Sequence, residues 1–449
     1  MNIYLHVEVS LRELDSKLLL GVIAASRGHQ VLISDISEIE RGFRRGILKP
    51  GIFHTKSITP SDKKISFHKK LIDKKFLITS IDEEAGLELI NPQFEELYLS
   101  RSSKKSIKQS AAIFCWGNDD FKTFNKIYPK NKSKIIKSGS PRVDLWKSIF
   151  LNYWGVPKKK PKKPFLLVSS NMALSNGIQK FSEVIKMHED LGYFERNPIL
   201  FNQLFEEQAE DTIKTLDFIG AIKHLAKNNS KYDIVFRPHP TEDIATWKFY
   251  LGGISNVNVI RDGSITAWVN NAFAVMHNGC TTALEASVIG KPIITYLPKK
   301  RKYKKNFPNK LGFQINSLKQ LSNKLSLLLQ NSKSKKNNLE NKKIPKMVSQ
   351  KIYLDSKELA SDKIIREWER LYKDDFLLPT NWRKLYLLLK ITTIKNKIIT
   401  KNNNWKFPPL NKNNIYERVK KIKHALKIKQ KIDCKIISDR AILIKKTFD

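Results

Sequence analysis

A cation and an imidazole follow a predicted strand in the second half of the chain. The stretch Arg237-Pro238-His239-Pro240 comes directly after an apolar run typical of a strand. The two prolines restrict the backbone, so side chains at this strand end would point in fixed directions, and a phosphate would suit both Arg237 and His239. A rigid turn in which His239 caps local backbone is the alternative, and the pattern favours binding.

The stretch HNGCTTALEA, which follows the apolar run AFAVMH, predicts a phosphate cradle. Gly279 permits a tight turn, Asn278 beside it is a candidate donor-binding residue, and Thr281 and Thr282 stand where a helix begins. Unpaired backbone N–H groups and the helix dipole attract anions at such a position. Glu285, one helical turn beyond Thr281, is placed to reach the ribose of a nucleotide. Plain N-capping by threonine fits the same pattern.

Three adjacent carboxylates follow the predicted strand FLITSI in the first half of the chain. They are Asp82, Glu83 and Glu84, before Ala85 and Gly86. Crowded carboxylates favour proton uptake by one of them, which suits a general base that deprotonates a hydroxyl. Most acidic runs are solvated loops, but the position at a strand end favours Glu83 or Glu84 as the base.

Alternating strand and helix patterns set the expected fold class. Residues 2–9 and 30–34 are rich in strand formers, and residues 11–27 carry apolar side chains at helical spacing before Gly28. Such a βαβ unit builds a parallel sheet. Further strands are predicted at 76–81, 111–116, 134–139, 165–170, 233–238, 256–261, 272–277 and 292–297, with helices at about 201–228 and 350–372.

The stretch VPKKKPKKP at 156–164 divides two such series. We therefore predict an α/β protein with two Rossmann-type domains, residues 1–155 and 164–331, facing a cleft, with ligands at the carboxyl ends of the strands. Residues 332–449 are expected to form a Lys/Asn-rich helical segment.

Charge indicates an anionic partner. The formal net charge is +39, from 82 basic and 43 acidic residues, and residues 381–449 hold 19 basic against 4 acidic ones. Trp382, Leu385, Trp405 and Phe407 accompany these cations, as in helices that lie on anionic membranes. The alternatives are a packed helical appendage and a general lysine bias. The lysine-rich run at 299–305 could bind an anionic acceptor.

Several classes of protein are disfavoured. The three cysteines lie far apart, which indicates reduced thiols rather than disulfides or a zinc site, and no metal or cofactor is expected. The N-terminus lacks the apolar stretch of a signal peptide, so a cytoplasmic protein is expected, held at most on the inner face of the membrane. No pattern of a nucleic-acid-binding fold accompanies the basic residues, so no nucleic-acid partner is expected.

The stretches RPHP and HNGCTTALEASVIGKPIITY, with GSPRVD and ELDSKLLLGVIAASRGH upstream, together resemble bacterial surface-carbohydrate biosynthesis proteins. These are similar to GT-B glycosyltransferases of capsule and lipopolysaccharide assembly, including Kdo and sialic-acid transferases that use CMP-sugars. The resemblance implies a metal-independent, inverting transfer from a nucleotide-sugar, with CMP favoured, onto a surface polysaccharide or lipid-linked glycan.

In that family an acidic pair before a glycine supplies the base. A His-Pro motif contacts the donor phosphate, and a Ser/Thr pair binds phosphate at a helix start. His239-Pro240 and Thr281-Thr282 match these motifs, whereas Ala85 is inserted between Glu84 and its glycine.

Two other activities fit the same sequence. RPHP and GSPRVD also resemble the CDP-glycerol glycerophosphotransferases of teichoic-acid synthesis. A nucleotide-sugar 2-epimerase would share the architecture of two halves and would need no acceptor. Product analysis separates these alternatives, because epimerisation proceeds with the donor alone.

Overall fold

The computed structural model describes residues 1–190, 192–298, 306–333, 344–355, 357–372, 380–399 and 406–447. The predicted anion-binding run at 299–305, and Trp405 of the predicted membrane segment, lie outside these ranges. The chain forms two compact units. The first unit contains residues 1–86, 91–153 and 345–449, and the second contains residues 87–90 and 154–344.

The first unit is built on an eight-stranded sheet. Its strands are Asn2–His6 (β1), Gln30–Ser34 (β2), Gly51–Thr55 (β3), Leu77–Ile81 (β4), Ala112–Cys115 (β5), Ile135–Lys137 (β6), Ile432–Ser438 (β13) and Ala441–Lys446 (β14). Its helices are Ser10–Ser26 (α1), Ile36–Arg44 (α2), Asp62–Asp73 (α3), Gln93–Arg101 (α4), Lys104–Gln109 (α5), Asn118–Ile127 (α6), Pro141–Asp144 (α7), Leu151–Trp154 (α8, at the unit boundary), Lys346–Lys351 (α17), Ala360–Leu371 (α18), Trp382–Ile399 (α19) and Lys412–Ala425 (α20), with 3₁₀ turns at Pro129–Lys134 and Ser148–Phe150.

The second unit is built on a six-stranded sheet. Its strands are Phe165–Ser169 (β7), Asp233–Arg237 (β8), Val257–Val259 (β9), Ala274–His277 (β10), Ile293–Tyr296 (β11) and Phe313–Ile315 (β12). Its helices are Ala173–Asn176 (α9), Phe181–Asp190 (α10), Tyr193–Arg196 (α11), Ile199–Lys227 (α12), Ile244–Leu251 (α13), Ile265–Asn271 (α14), Thr282–Ile289 (α15) and Leu318–Lys333 (α16), with a 3₁₀ turn at Pro308–Lys310.

Both sheets are mostly parallel and have the reversing strand order of Rossmann-type domains, which confirms the predicted α/β fold class. The order is β13-β14-β2-β1-β3-β4-β5-β6 in the first unit and β12-β11-β10-β7-β8-β9 in the second. All neighbours pair in parallel except β14, which runs antiparallel to both β2 and β13. The strand order reverses beside β1 in one sheet and beside β7 in the other. Such points open a crevice at the carboxyl ends of the strands.

The strands are short apolar runs because parallel sheets are covered on both faces. In the second unit Leu166, Phe236 and Met276 lie in one core with Trp247, and all are fully buried. This packing fixes the strand ends, and the loops that leave them carry the motifs identified in the sequence.

The C-terminal residues differ from the predicted helical tail at 332–449. From residue 345 onward they belong to the first unit, and they end in a β-hairpin whose inner strand, β14, pairs with β2. The Asp144 carboxylate accepts the backbone N–H groups of Ala360 (3.0 Å) and Ser361 (2.9 Å), so the GSPRVD stretch anchors the start of α18. Asp433 and Lys435 interrupt the apolar residues of β13, and the apolar run of β14 is only four residues long before Lys445 and Lys446, which obscured both strands.

The helix α19 also packs on the first unit. Leu385 and Leu389 are fully buried in its core, and α20 buries Ile415 and Ile422. Within the described part of the chain, no helix combines the length and apolarity needed to cross a bilayer.

Candidate functional site

The two predicted phosphate-binding motifs lie on either side of β7 in the second unit. RPHP ends β8 and HNGCTT ends β10, and β7 lies between these two strands. The Oγ of Ser170 accepts the backbone N–H of His239 (3.3 Å), and the hydroxyls of Ser169 and Thr282 lie 3.1 Å apart. Both motifs therefore meet the end of β7. Sequence reasoning missed Ser169 and Ser170, although a pair of small hydroxyls after the run FLLV was the available signal.

His239 presents its ring in one tautomer. Its Nδ1 lies 2.7 Å from the Thr241 hydroxyl and accepts the Thr241 backbone N–H at 3.4 Å. Because a backbone N–H can only donate, Nδ1 is an acceptor, and a neutral ring carries its proton on Nε2. The Nε2–H group can therefore donate a hydrogen bond to an anion. Pro240, the next residue, is exposed.

Glu242 organises this strand end and was not predicted. Its carboxylate is fully buried and accepts from the Ser170 hydroxyl (2.7 Å), the Met172 N–H (2.8 Å) and the Trp247 indole (2.6 Å). Burial raises the pKa of Glu242, while these hydrogen bonds oppose the shift. The network positions the Ser170 hydroxyl, which in turn holds the backbone of His239.

The guanidinium of Arg237, which the sequence predicted to contact phosphate, is engaged by backbone carbonyls. It donates to the carbonyls of Asp262 (2.6 Å) and Gly263 (2.9 Å) and lies over the Trp268 ring, 5.5 Å from its centroid. Burial lowers the pKa of Arg237 to about 10, and the Asp262 carboxylate, followed by the Glu285 carboxylate, opposes this. Arg237 thus fastens the loop that follows β9.

The turn after β10 requires its glycine. Gly279 has φ +80°, and a Cβ there would lie 2.7 Å from Nδ2 of Asn306. Its N–H donates to Oδ1 of Asn309 (2.7 Å), whose Nδ2 donates to Oδ1 of Asn278 (3.1 Å). Asn278 also donates to the Tyr296 carbonyl (3.2 Å), so it shapes the turn.

The turn leads into the N-terminus of α15. Thr281 precedes the helix and is half-buried, while the Thr282 hydroxyl also lies 3.2 Å from the Cys280 sulfur. Glu285 in the first turn is 2% exposed, so its carboxylate is enclosed by the second unit. The helix N-terminus and its two threonines are the anion-attracting part of the site.

The predicted acidic loop of the first unit has one buried and one accessible glutamate. Glu83 is 3% exposed, and its Oε1 accepts from Lys17 at 2.6 Å in a buried ion pair. The Glu84 side chain is 40% exposed and pairs with Arg101 (2.8 Å). Arg101 also holds Asp82 through two hydrogen bonds of 2.7 and 2.9 Å. Of the predicted pair, Glu83 is buried and Glu84 is accessible to solvent, where it also lies near Arg12 (3.5 Å) and Lys56 (3.7 Å).

The inserted alanine forms the turn after Glu84. Ala85 has φ +44° and Gly86 has φ +55°, so two successive residues adopt the left-handed region. That conformation is unfavourable for alanine, and such backbone strain is typical of functional loops.

Glu13 is a further buried carboxylate beside this loop. It is fully buried, and burial together with the Glu83 carboxylate raises the pKa of Glu13. It accepts the Glu8 backbone N–H (2.8 Å) and the Arg12 guanidinium (2.9 Å). Among the described residues, no group of three or more His, Cys, Asp or Glu side chains is arranged to hold a metal ion.

Comparisons with known proteins give fold-level likeness only. No protein-family profile matches the chain, and no curated protein matches it. UDP-GlcNAc 2-epimerase from Methanocaldococcus jannaschii is 12% identical, with 82% of this chain and 99% of that chain covered and a TM-score of 0.48.

A glycosyltransferase from Rickettsia africae is 10% identical, with 89% and 99% covered and a TM-score of 0.41. The wall teichoic acid polymerase TagF is 11% identical, with 74% and 84% covered and a TM-score of 0.41. With identities this low and TM-scores below 0.5, these similarities carry no argument about activity.

Proposed function

We propose that the chain is a glycosyltransferase of the GT-B type that uses a nucleotide-sugar, with a CMP-sugar favoured. The observation that carries the proposal is that both motifs bond to the end of β7, His239 to Ser170 and Thr282 to Ser169. A departing nucleotide gains negative charge on its phosphate in the transition state. The Nε2–H of His239, the Thr281 and Thr282 hydroxyls and the N-terminus of α15 would stabilise that charge.

The acceptor would be a glycan or a lipid-linked glycan, and its hydroxyl must lose a proton during transfer. We propose Glu84 as the base, because it is the accessible member of the predicted pair. Glu83 would remain in its ion pair with Lys17 and support the loop. Arg237 and Asn278 would act as positioning residues, and Glu285 would act through Arg237 rather than on the donor ribose.

A CDP-polyol phosphotransferase is the second candidate, since the same cradle of His239 and Thr282 could hold a diphosphate. A 2-epimerase is the third. Incubation with donor and acceptor separates them, because a glycosyl product, a polyol phosphate product and a changed donor are chemically distinct.

A thermal-shift screen with CMP, CDP, UDP, GDP and their sugars tests the proposal. A ligand at 100-fold its Kd stabilises the native state by about 2.7 kcal/mol, which corresponds to a Tm increase of about 5 °C or more for a unit of this size. We expect the cytidine nucleotides to give the largest increase. If no nucleotide or nucleotide-sugar raises the Tm, the proposed function is wrong.

We also propose an anionic membrane surface as the partner of α19. Its core-facing Leu385 and Leu389 are buried, but Tyr386, Leu387 and Ile391 are 40%, 58% and 55% exposed. Arg383, Lys384 and Lys390 are exposed on the same helix. Apolar and aromatic side chains flanked by cations suit a helix that lies on anionic lipid.

Replacing Lys384 and Lys390 with glutamine is expected to weaken sedimentation with anionic vesicles about 30-fold, at about 1 kcal/mol for each cation. The matched control changes Lys69 and Lys70, two exposed lysines of α3, and should bind vesicles like wild type. Equal weakening in both variants would indicate a general charge effect and contradict a specific α19 surface.

A further inference from the structure

The loop between β3 and α3 carries polar groups beside β1, where the strand order reverses in the sheet of the first unit. In the first unit β1 lies between β2 and β3, so the carboxyl ends of β1 and β3 flank the expected crevice. Thr55 ends β3, and Ser57 and Thr59 follow at alternate positions. Nothing in the proposed chemistry uses these hydroxyls.

Lys64, in the first turns of α3, reaches back to this loop. Its Nζ donates to the Ser57 hydroxyl at 2.9 Å and to the Ser57 carbonyl at 3.4 Å. The Thr59 hydroxyl bonds the same Ser57 Oγ at 3.3 Å, and the Thr55 hydroxyl donates to the Ser57 carbonyl at 3.3 Å. The Lys64 ammonium and the hydroxyls of Thr55 and Thr59 are therefore grouped around Ser57, which is 1% exposed.

Lys64 differs from the other cations of this region in its partners. The neighbouring ion pairs are Lys17–Glu83, Lys56–Glu8, Arg12–Glu13 and Arg101–Asp82. Among the residues that the structure describes, no carboxylate lies within salt-bridge distance of Lys64. Burial, and then the charges of Lys56 and Arg101, lower the pKa of Lys64 to about 8, while the Asp82 and Glu8 carboxylates oppose the shift from beyond salt-bridge distance. A partly buried cation without a direct ion pair is costly, and an anionic ligand in contact with it would reduce that cost.

We propose that Lys64, with the hydroxyls of Ser57 and Thr59, binds an oxyanion of the acceptor, a phosphate or a carboxylate. Lysine offers a compact charge with three donors, and hydroxyls can turn their protons toward an incoming oxygen. The oxyanion pocket rests on the contacts above, and only its role for the acceptor rests on the proposed function. The phosphate of a lipid-linked glycan and the carboxylate of an acidic sugar share the required chemistry.

The test compares Lys64→Met with Lys63→Met, which removes the same charge from an exposed neighbour on α3. Isothermal titration with inorganic phosphate, and separately with glucuronate, is run in chloride at matched ionic strength. Losing a hydrogen bond to a charged group weakens binding about tenfold or more. In Lys64→Met we expect the affinity for the anion to fall about tenfold or more, or the stoichiometry of phosphate binding to fall by one site. In Lys63→Met we expect the affinity and the stoichiometry of wild type. Tighter binding of phosphate would indicate the phosphate of a lipid-linked glycan, and tighter binding of glucuronate would indicate the carboxylate of an acidic sugar.

Ser57→Ala keeps the lysine and serves if Lys64→Met fails to fold, with a weakening of threefold or more expected. Wild-type affinity and stoichiometry for both anions in the Lys64 and Ser57 variants would overturn the pocket and leave Lys64 as a brace for the loop. The pocket would also be overturned if the wild-type protein bound neither phosphate nor glucuronate measurably in the chloride buffer. The nucleotide-induced Tm increase is measured in the same samples. Its absence in wild type would refute the proposed function and leave the pocket standing.

Discussion

The His239→Ala protein is expected to fold normally and to transfer sugar two to three orders of magnitude more slowly than wild type. Removing one preorganised donor that faces developing charge typically costs that much in turnover. The ring is half-buried, and its Nδ1 is fixed by Thr241, so the donor is oriented before substrate arrives. Single-turnover transfer with the donor identified by thermal shift measures the effect.

The control for this variant is His424→Ala, which removes an exposed imidazole from α20 in the first unit. It should transfer sugar at the wild-type rate. Unfolding temperatures of both variants should match wild type, because the Ser170 bond to residue 239 uses the backbone N–H and survives the change. Turnover of His239→Ala within a factor of three of wild type would remove His239 from the site.

Lys17→Met is expected to lower the free energy of unfolding by about 3–5 kcal/mol. The Lys17 and Glu83 side chains are 1% and 2% exposed and 2.6 Å apart, and removing one partner leaves a buried charge without compensation. Urea unfolding followed by circular dichroism measures the loss. The double variant Lys17→Met/Glu83→Gln should regain most of the lost stability, because it leaves no charge behind.

Lys63→Met provides the comparison for Lys17→Met, since it removes an exposed lysine and should change stability by less than about 0.5 kcal/mol. If Lys17→Met proves as stable as wild type, the pair is not the support of the acidic loop. Glu83 would then have to be reconsidered as a free carboxylate and a rival to Glu84 for the role of base.

Much of the fold could be predicted because most strands are uninterrupted apolar runs. The predicted span of β2, residues 30–34, agrees fully, and β7 and β8 differ by one residue at the end. The strand β3 escaped prediction because Gly51 and His54 break the apolar pattern of GIFHT. The predicted helix at 350–372 divides into α17 and α18. Asp144, more than 200 residues away, caps the start of α18, which local sequence cannot reveal.

The candidate site was predicted in part for a similar physical reason. His239 and Thr282 could be identified from the sequence because prolines flank His239, a glycine lies shortly before Thr282, and both motifs follow a predicted strand. Glu242 and Ser170 act through contacts between separate loops, so their 2.7 Å bond leaves no pattern in the sequence. Arg237 was identified correctly as a strand-end cation, but whether a guanidinium faces backbone carbonyls or solvent depends on the fold around it.

The pairing of β14 with β2 has a consequence for synthesis on the ribosome. The second unit, apart from residues 87–90, lies between residues 154 and 344, so its whole sheet emerges before any of residues 345–446. At 5–20 residues per second, the roughly 400 residues between β2 and β14 leave the edge of β2 uncovered for about 20–80 seconds. An open, apolar strand edge invites pairing with other chains. The nascent first unit is therefore the part of this protein for which a chaperone would matter most.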